Sequence, residues 1–527
     1  MPLGAPGYRI LPASRRLPQE AGIIALRRRL PDLLIAALLL ALPLAAFWPQ
    51  TVGGRTLLPA ENLYQYQPYA AYRDVVKAPA LPHNALLSDL VLQNMQWKAF
   101  IRHSLAQGEI PLWNPHQFAG IPFFAAGQQS TLYPFSLIYY LLPLAAAYGW
   151  FAVAQLWLAG AFMLLFARGL GINRLGAVGA ALVYQLNGFF MAHAVFPMIV
   201  GAAVWLPLIL LMVEFILRRR PLLGRPASAP WAIIGAGALG CNVLAGHVEI
   251  TYYTLLITAY YAAGRLAWRA LASRRAAEPP ARIARRAAQA AGWLAAMVAL
   301  GLGLGAVQFI PLFEFASINY RDGRTTLDQV LGWAHPARDL IQFLMPNFYG
   351  SPAHHAYFDV FTGQTVPATI NAFGQPVNTL DWGIKNYVEG ALYLGILPLA
   401  LALFGLVAPR RRGIQSADDG RPPYRALFAL LALASLTFMF GLPTYGLLYS
   451  LLPGFNQLHS PFRWIYAVTL SAAVLAGFGL DALARARQAD GQDLRRWARR
   501  GGAALALAGG GLLAALLGRR LLYPQVE

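Results

Sequence analysis

The chain is 527 residues long, 57% hydrophobic and only 12% charged, with a formal net charge of +20 at pH 7. Soluble domains are roughly 25% charged, and several windows of about 20 residues here hold no charge, which is the length a helix needs to cross a bilayer. An ordinary soluble globule is excluded, and the chain reads as an all-α polytopic membrane protein.

From the N-terminus, residues 1–30 form a basic leader ending in Arg27-Arg28-Arg29. The apolar run after it has no small-x-small cleavage site before Trp48-Pro49, which predicts an uncleaved anchor rather than a secretory signal. Hydropathy over a window of roughly 19 residues predicts about eleven transmembrane helices. They lie near 31–49, 147–168, 175–192, 197–217, 230–246, 251–270, 289–315, 388–408, 425–442, 463–484 and 501–518. Two further apolar runs, 132–145 and 443–453, are too short to span and suit re-entrant or interfacial helices. "GLGLG" at 301–305 lies inside a span with no strand before it, so it reads as helix packing through small residues and not as a nucleotide loop. A single cysteine, Cys241, excludes an internal disulfide.

Arg and Lys set the sides. Dense basic clusters occupy alternate connections: the leader, Arg218-Arg219-Arg220, Arg274 to Arg286, Arg410-Arg411-Arg412, and Arg495 to Arg500. The two long connections, 50–131 and 316–387, are sparse in both. The positive-inside rule puts the N-terminus and the clusters in the cytoplasm and both long loops outside. Residues 31–518 then form one transmembrane domain, followed by a short outer tail at 519–527. Topology and attraction to anionic membrane lipid account for the net charge, so nucleic acid is not an expected partner.

The first outer loop holds the least ordinary stretch, "LLSDLVLQNMQWKAFIRHSLAQGEIPLWNP" at 86–115. Ser88 suits an N-cap, Asp89 suits the positive end of the helix dipole, and Gly108 suits a stop. At helical spacing Asp89, Gln93, Gln96 and His103 share one stripe with Phe100, and Leu90, Trp97, Ile101 and Leu105 form an apolar stripe beside it. Lys98 and Arg102 lie beyond, one turn apart. Such a helix rests on the membrane surface with its basic pair near lipid phosphates and its acid stripe toward a cavity. Equally, Asp89 reads as a first-turn acid worth about 0.3–1 kcal/mol to the helix.

The segments "PHNALLSDLVLQ" at 82–93, "GEIPLWNPHQFAGIPFFA" at 108–125 and "LYPFSLIYYLLP" at 132–143 resemble the outer-loop signature of the bacterial YfhO family. "LAGH" at 244–247, "MPNFYG" at 345–350, "YLGILPLALAL" at 393–403 and "SPFRWIYAVTLSAAVLAGFGLD" at 460–481 extend the similarity. The resemblance implies a fold related to the GT-C glycosyltransferases, which take sugars from polyprenyl-phosphate carriers at the outer face of the bacterial cytoplasmic membrane. It also implies that an acid of the first outer loop acts as general base or helps to hold a divalent metal; by position that acid is Asp89. The chain departs from the pattern in two places. The nearest upstream loop acid, Asp74, is far from Asp89, and "GHVE" at 246–249 stands where a "GHPQ"-like form is expected. No metal ligand set is assigned.

With that resemblance, Arg463 in "NQLHSPFRW" and its neighbour His459 become candidates for the donor phosphate, since a guanidinium matches phosphate geometry bidentately. Lys98 and Arg102 are secondary candidates. Arg463 reads equally well as an interfacial anchor snorkelling to headgroups. His193, His247 and Glu249 at span ends, with Gln93, Gln96, Trp113 and Asn114, are candidates for the substrate cavity. The second long loop adds Asp339, Tyr349 and Tyr387 among its acids and aromatics, residues that suit sugar binding or simply a solvated loop and an aromatic belt. The expected function is transfer of a sugar from the carrier to an envelope glycan, lipid or protein on the outer face. The alternatives are a transporter or flippase of a lipid-linked intermediate, which would carry polar residues and broken helices at mid-depth, and a non-catalytic envelope-assembly scaffold.

Overall fold

A backbone in hydrocarbon must satisfy its own polar groups, and helices do so within one segment. The computed structural model describes residues 18–79, 83–316, 325–352, 356–359, 364–367, 386–408, 422–458 and 460–486, with a few isolated positions after 498. The principal helices are α1 (Pro18–Ala46), α2 (Met95–Ala106), α3 (Leu144–Gly169), α4 (Arg174–Gln185), α5 (Gly188–Ala192), α6 (Pro197–Arg218), α7 (Ala229–Leu244), α8 (Val248–Arg275), α9 (Pro280–Ala316), α10 (Ile396–Val407), α11 (Tyr424–Met439) and α12 (Ile465–Ala486). Strand among the described residues is confined to three short antiparallel hairpins.

Among the described residues, four helices are long and apolar enough to cross a membrane: α3, α6, α9 and the stretch Pro461–Ala486 that contains α12. The pair Arg174–Gln185 and Gly188–Val195, bent by 41°, makes a fifth if taken as one span. Leu30–Ala46, α7, α10 and α11 are apolar but shorter. Helix therefore lies under each predicted span up to 463–484, while fewer helices reach spanning length than hydropathy alone suggests. One cause is visible at 388–408, where Gly395 at φ +93° delays the helix start. The predicted span 501–518 falls almost wholly outside the described residues.

α12 is the central helix: nearly every side chain from Ile465 to Gly477 is buried. Small residues let its neighbours approach. A Cβ on Gly479 would collide with the backbone of Leu401 in α10, one on Gly405 with the backbone of Leu475, and one on Gly176 of α4 with the backbone of Gly477. Asp481 accepts the backbone N–H of Asn173 at 3.0 Å, and the Asn173 side chain caps α4 by accepting Gly176 N–H at 2.7 Å. The "GLGLG" segment behaves as expected: Gly301 and Gly305 pack against Leu239 and Val243 of α7, while Gly303 faces open space.

Near the basic end of the bundle, Glu214 of α6 is fully buried and draws three helices together. Arg265 of α8 holds it through Nε and, at 3.1 Å, Nη2; Arg218 Nε approaches at 2.8 Å. The hydroxyls of Tyr261 and Tyr424 donate to it at 2.7 and 2.9 Å.

Candidate functional site

The helix of the first long loop begins earlier than its sequence suggests. Asn84, not Ser88, is the N-terminal cap: its side chain accepts Leu86 N–H at 3.1 Å. Ser88 is occupied otherwise, because its hydroxyl accepts from Asn62 Nδ2 at 3.1 Å. A π-helical turn over Leu90–Asn94 follows Asp89 directly, and then regular α2, which stops where Gly108 takes φ +77°. The apolar side of this helix is anchored by Leu90 and Ile101, both buried, and by Phe100, whose ring meets Phe123 edge-on at 5.0 Å.

The polar stripe is where the spacing puts it. Asp89, Gln93, Gln96 and His103 are all exposed. Among the described residues the Asp89 carboxylate makes no hydrogen bond or ion pair, and partial desolvation by the surrounding chain raises its pKa above the usual carboxylate value.

The basic pair is a correction. Lys98 does not reach toward a surface; it is 1% exposed. Its Nζ donates to the Gln129 carbonyl at 2.6 Å and sits 4.7 Å from the centroid of the Tyr139 ring. Asn94, one turn back, accepts from Tyr148 at 2.7 Å. The reason is tertiary: the Gln129 backbone and Tyr139 of the short helix Leu137–Leu141 cover the Lys98 face of α2. Burial without a carboxylate pushes the amine down to about 7. Arg102 is half-buried and donates to the Leu142 carbonyl at 3.1 Å. Trp113 is exposed, whereas Asn114 is buried and shapes a turn by accepting His116 N–H at 3.0 Å.

At the same end of the helices, a second cluster forms where segments distant in sequence stop. A 3₁₀ turn, Pro461–Trp464, carries Arg463 ahead of α12. His247 caps α8 by accepting Ile250 N–H at 3.2 Å, which leaves Glu249 in the first turn. Arg463 Nη1 pairs with Glu249 Oε2, and its Nη2 lies 3.6 Å from Glu389. The Tyr253 hydroxyl donates to Glu249 at 2.9 Å. His193 is buried beside Phe189, whose carbonyl its Nδ1 meets at 2.9 Å, and its Nε2 has no partner among the described residues. The Nε of Arg463 is likewise buried and unpartnered there. His459 lies outside the described residues.

The two halves meet through amides. Asn62 donates to the Asn84 carbonyl at 2.8 Å, and the side chains of Asn84 and Asn386 exchange hydrogen bonds of 2.8 Å each. Three residues past Asn386 stands Glu389, against Arg463. Thus Ser88, the chain neighbour of Asp89, and Arg463 stand at the two ends of one line of polar contacts, which the Asp89 carboxylate itself does not join. Spacing gave no sign of Asn84, Asn386, Tyr253 or Glu389 as parts of it.

The divalent metal implied by the family resemblance finds no ligand set. Among the described residues no group of three or more His, Cys, Asp and Glu is placed to hold an ion, and Asp89 stands alone. No model of a known protein family matches the chain, and neither a curated protein nor a solved structure matches it.

Proposed function

We propose that the chain is a membrane glycosyltransferase that moves a sugar from a polyprenyl-phosphate carrier to a hydroxyl of an envelope acceptor on the side of the two long loops. The observation that carries this reading is the exposed carboxylate of Asp89, without a partner among the described residues, beside Ser88, where the line of amide contacts that leads toward Arg463 begins. A carboxylate with a raised pKa and no competing partner suits a general base, a role worth about 10²–10⁴ in rate. The acceptor O–H proton passes to Asp89, the acceptor oxygen bonds to the anomeric carbon, and the bond from that carbon to the phosphate oxygen breaks. The electron pair leaves on the carrier phosphate. Arg463 steadies that phosphate through Nη2, whose 3.6 Å approach to Glu389 is longer than a hydrogen bond and open to exchange.

The test uses membranes containing the full chain and polyprenyl-phosphate glucose, mannose and galactose labelled in the sugar. Wild type transfers label from one of them, and Asp89→Asn lowers that rate at least about a hundredfold while folding normally. Transfer at the wild-type rate by Asp89→Asn removes the assignment.

A transporter or flippase of the lipid-linked intermediate is the second reading, and the break between α4 and α5 favours it. Asn187 caps α5 there, and Gln155, Gln185 and Asn242 are buried within helices, each with a polar atom unpartnered among the described residues. Movement of the labelled lipid across sealed vesicles without any transfer of its sugar selects that reading.

A further inference from the structure

After α2 the first long loop folds back on itself in a hairpin that none of the chemistry above uses. Trp113–Asn114 pairs antiparallel with Ile121–Pro122, and Phe118 lies in the connecting turn. We infer that this hairpin is a lipid anchor. It seats Ile110, Leu112, Trp113 and Phe118 in the hydrocarbon edge of the membrane leaflet on the side of the two long loops.

Three observations converge. First, the four side chains are large, apolar and uncovered: Ile110 and Leu112 are each 62% exposed, Trp113 55% and Phe118 86%. An exposed apolar group of this kind marks a surface that something else covers. Second, the hairpin offers that surface no competing polarity. From Ile110 to Phe124 the sequence contains no Asp, Glu, Lys or Arg. Its polar members are turned inward: Asn114 is buried and accepts His116 N–H, and the His116 ring meets Phe100 of α2 edge-on at 6.0 Å. A neutral, aromatic-rich patch suits the water–lipid boundary, where Trp is enriched, and gives a charged partner nothing to pair with.

Third, the hairpin is fixed at the level of that boundary. Directly after it, the Phe124 carbonyl accepts from Gln308 Nε2 of α9 at 3.1 Å, and Gly127 lies against Gln308 and Leu312. α9 is long and apolar enough to span, and its uncharged part runs between Arg286 and Glu314. Gln308 lies six residues inside Glu314, about 9 Å at 1.5 Å per residue. Val307, Ile310 and Phe313 of α9 are exposed and apolar at the same level. The hairpin therefore leaves the bundle where a spanning helix itself turns apolar side chains outward, and the lipid that covers α9 there covers the hairpin too. Phe100, on the same stripe of α2 as Asp89, packs against His116 and Phe123, so the anchor also fixes the height of that stripe. The inference stands whether or not the chain transfers a sugar.

Nitroxide labels on the full chain in phosphatidylcholine liposomes test it. Cys241→Ser removes the native cysteine. Phe118→Cys and Leu112→Cys then carry the label one at a time, with Asp74→Cys, whose native side chain is 98% exposed, as the aqueous reference. Collision rates with oxygen and with a neutral nickel chelate give the depth. The labels at 118 and 112 lie about 5–10 Å below the phosphates, and the label at 74 reads as water. Adding phosphatidylglycerol leaves the depths unchanged, because the hairpin carries no charge to respond to it. A label at 118 that reads as water overturns the inference. So does a label shielded from both reagents, which means protein covers the hairpin, and so does spin–spin broadening, which means a second copy does. Immersion that appears only with phosphatidylglycerol overturns it as well. Should Phe118→Cys fail to fold, Leu112→Cys alone decides.

Discussion

Asn84 and Asn386 exchange two hydrogen bonds of 2.8 Å across 302 residues of sequence, and this pair joins the two long loops of the chain. Each side chain has a second duty: Asn84 caps the turn at Leu86, and Asn386 accepts Val388 N–H at 3.1 Å. Removing one partner leaves the other unsatisfied. Asn84→Ala therefore lowers stability by about 1–3 kcal/mol, and hydrogen exchange at residues 386–390 rises with it. Thermal unfolding in detergent together with exchange mass spectrometry measures both; unchanged protection at 386–390 means the pair does not hold the loops together.

Asp89 separates activity from stability. Its raised pKa means the folded chain prefers the protonated acid, so the folded state binds the extra proton between the ordinary carboxylate value and the raised one. Stability from this group is present at low pH and is lost as pH rises through the folded-state value. Asp89→Asn is then as stable as wild type at neutral pH, or slightly more so, and inactive. In wild type, activity appears only as Asp89 ionises, which puts the acid limb of the pH–rate profile above that of an unperturbed carboxylate. A destabilised Asp89→Asn at neutral pH contradicts the assigned direction.

Arg463 requires a paired change, because Glu249 is buried against it. Arg463→Ala strands that carboxylate, and breaking a buried pair costs about 3–5 kcal/mol, so loss of function in the single variant is uninformative. Arg463→Met with Glu249→Gln removes both charges and recovers the fold. Donor binding that returns with the fold takes Arg463 out of phosphate recognition, whereas a recovered fold with a raised donor KM keeps it there.

Periodicity carried the first-loop helix well: the exposed stripe of Asp89, Gln93, Gln96 and His103 is a local property, fixed by angles along one helix. The same arithmetic misjudged Lys98, because what covers a helix face is decided by segments far away, here Gln129 and Tyr139. Ser88 looked like the cap since Ser before an acid is a cap signal, but Asn84 lies at the true start, four residues earlier. The helix positions were legible in hydropathy, which reads composition. Their lengths were not, since Gly395 and the bend at Asn187 act through backbone geometry. His335 was hidden for a related reason, although Asp339 stood out among the second loop's acids: an i, i+4 His–Asp pair is common, and only burial distinguishes this one.

Lys98 makes stability depend on pH in a calculable direction. Its amine is held down to about 7 in the folded chain, against 10.5 for the ordinary group. Between those values the unfolded chain binds the proton and the folded chain does not, so stability rises with pH across that window. Below about 7 the buried charge exerts its full penalty. Lys98→Met removes the ionisable group at similar volume. The midpoint for wild type then climbs relative to Lys98→Met as pH goes from 7 toward 10, and the two run parallel below 7. Parallel curves over the whole range mean the amine is solvated.

Glu214 is the reverse case, a buried acid with more partners than it needs. Arg265, Arg218, Tyr261 and Tyr424 all address one carboxylate, and they come from α6, α8 and α11. Glu214→Gln retains the shape but leaves Arg265, itself 3% exposed, with no counter-charge. The expected loss is about 3–5 kcal/mol. Tyr424→Phe deletes only one donor and costs about 1 kcal/mol, so the ratio of the two distinguishes a charge requirement from simple packing. Changing Arg265 to Met together with Glu214→Gln restores most of the stability, because a neutral contact of similar volume replaces the stranded cation. Thermal unfolding of the three variants in one detergent measures the series, and equal losses for Glu214→Gln and Tyr424→Phe would mean that packing alone holds these helices.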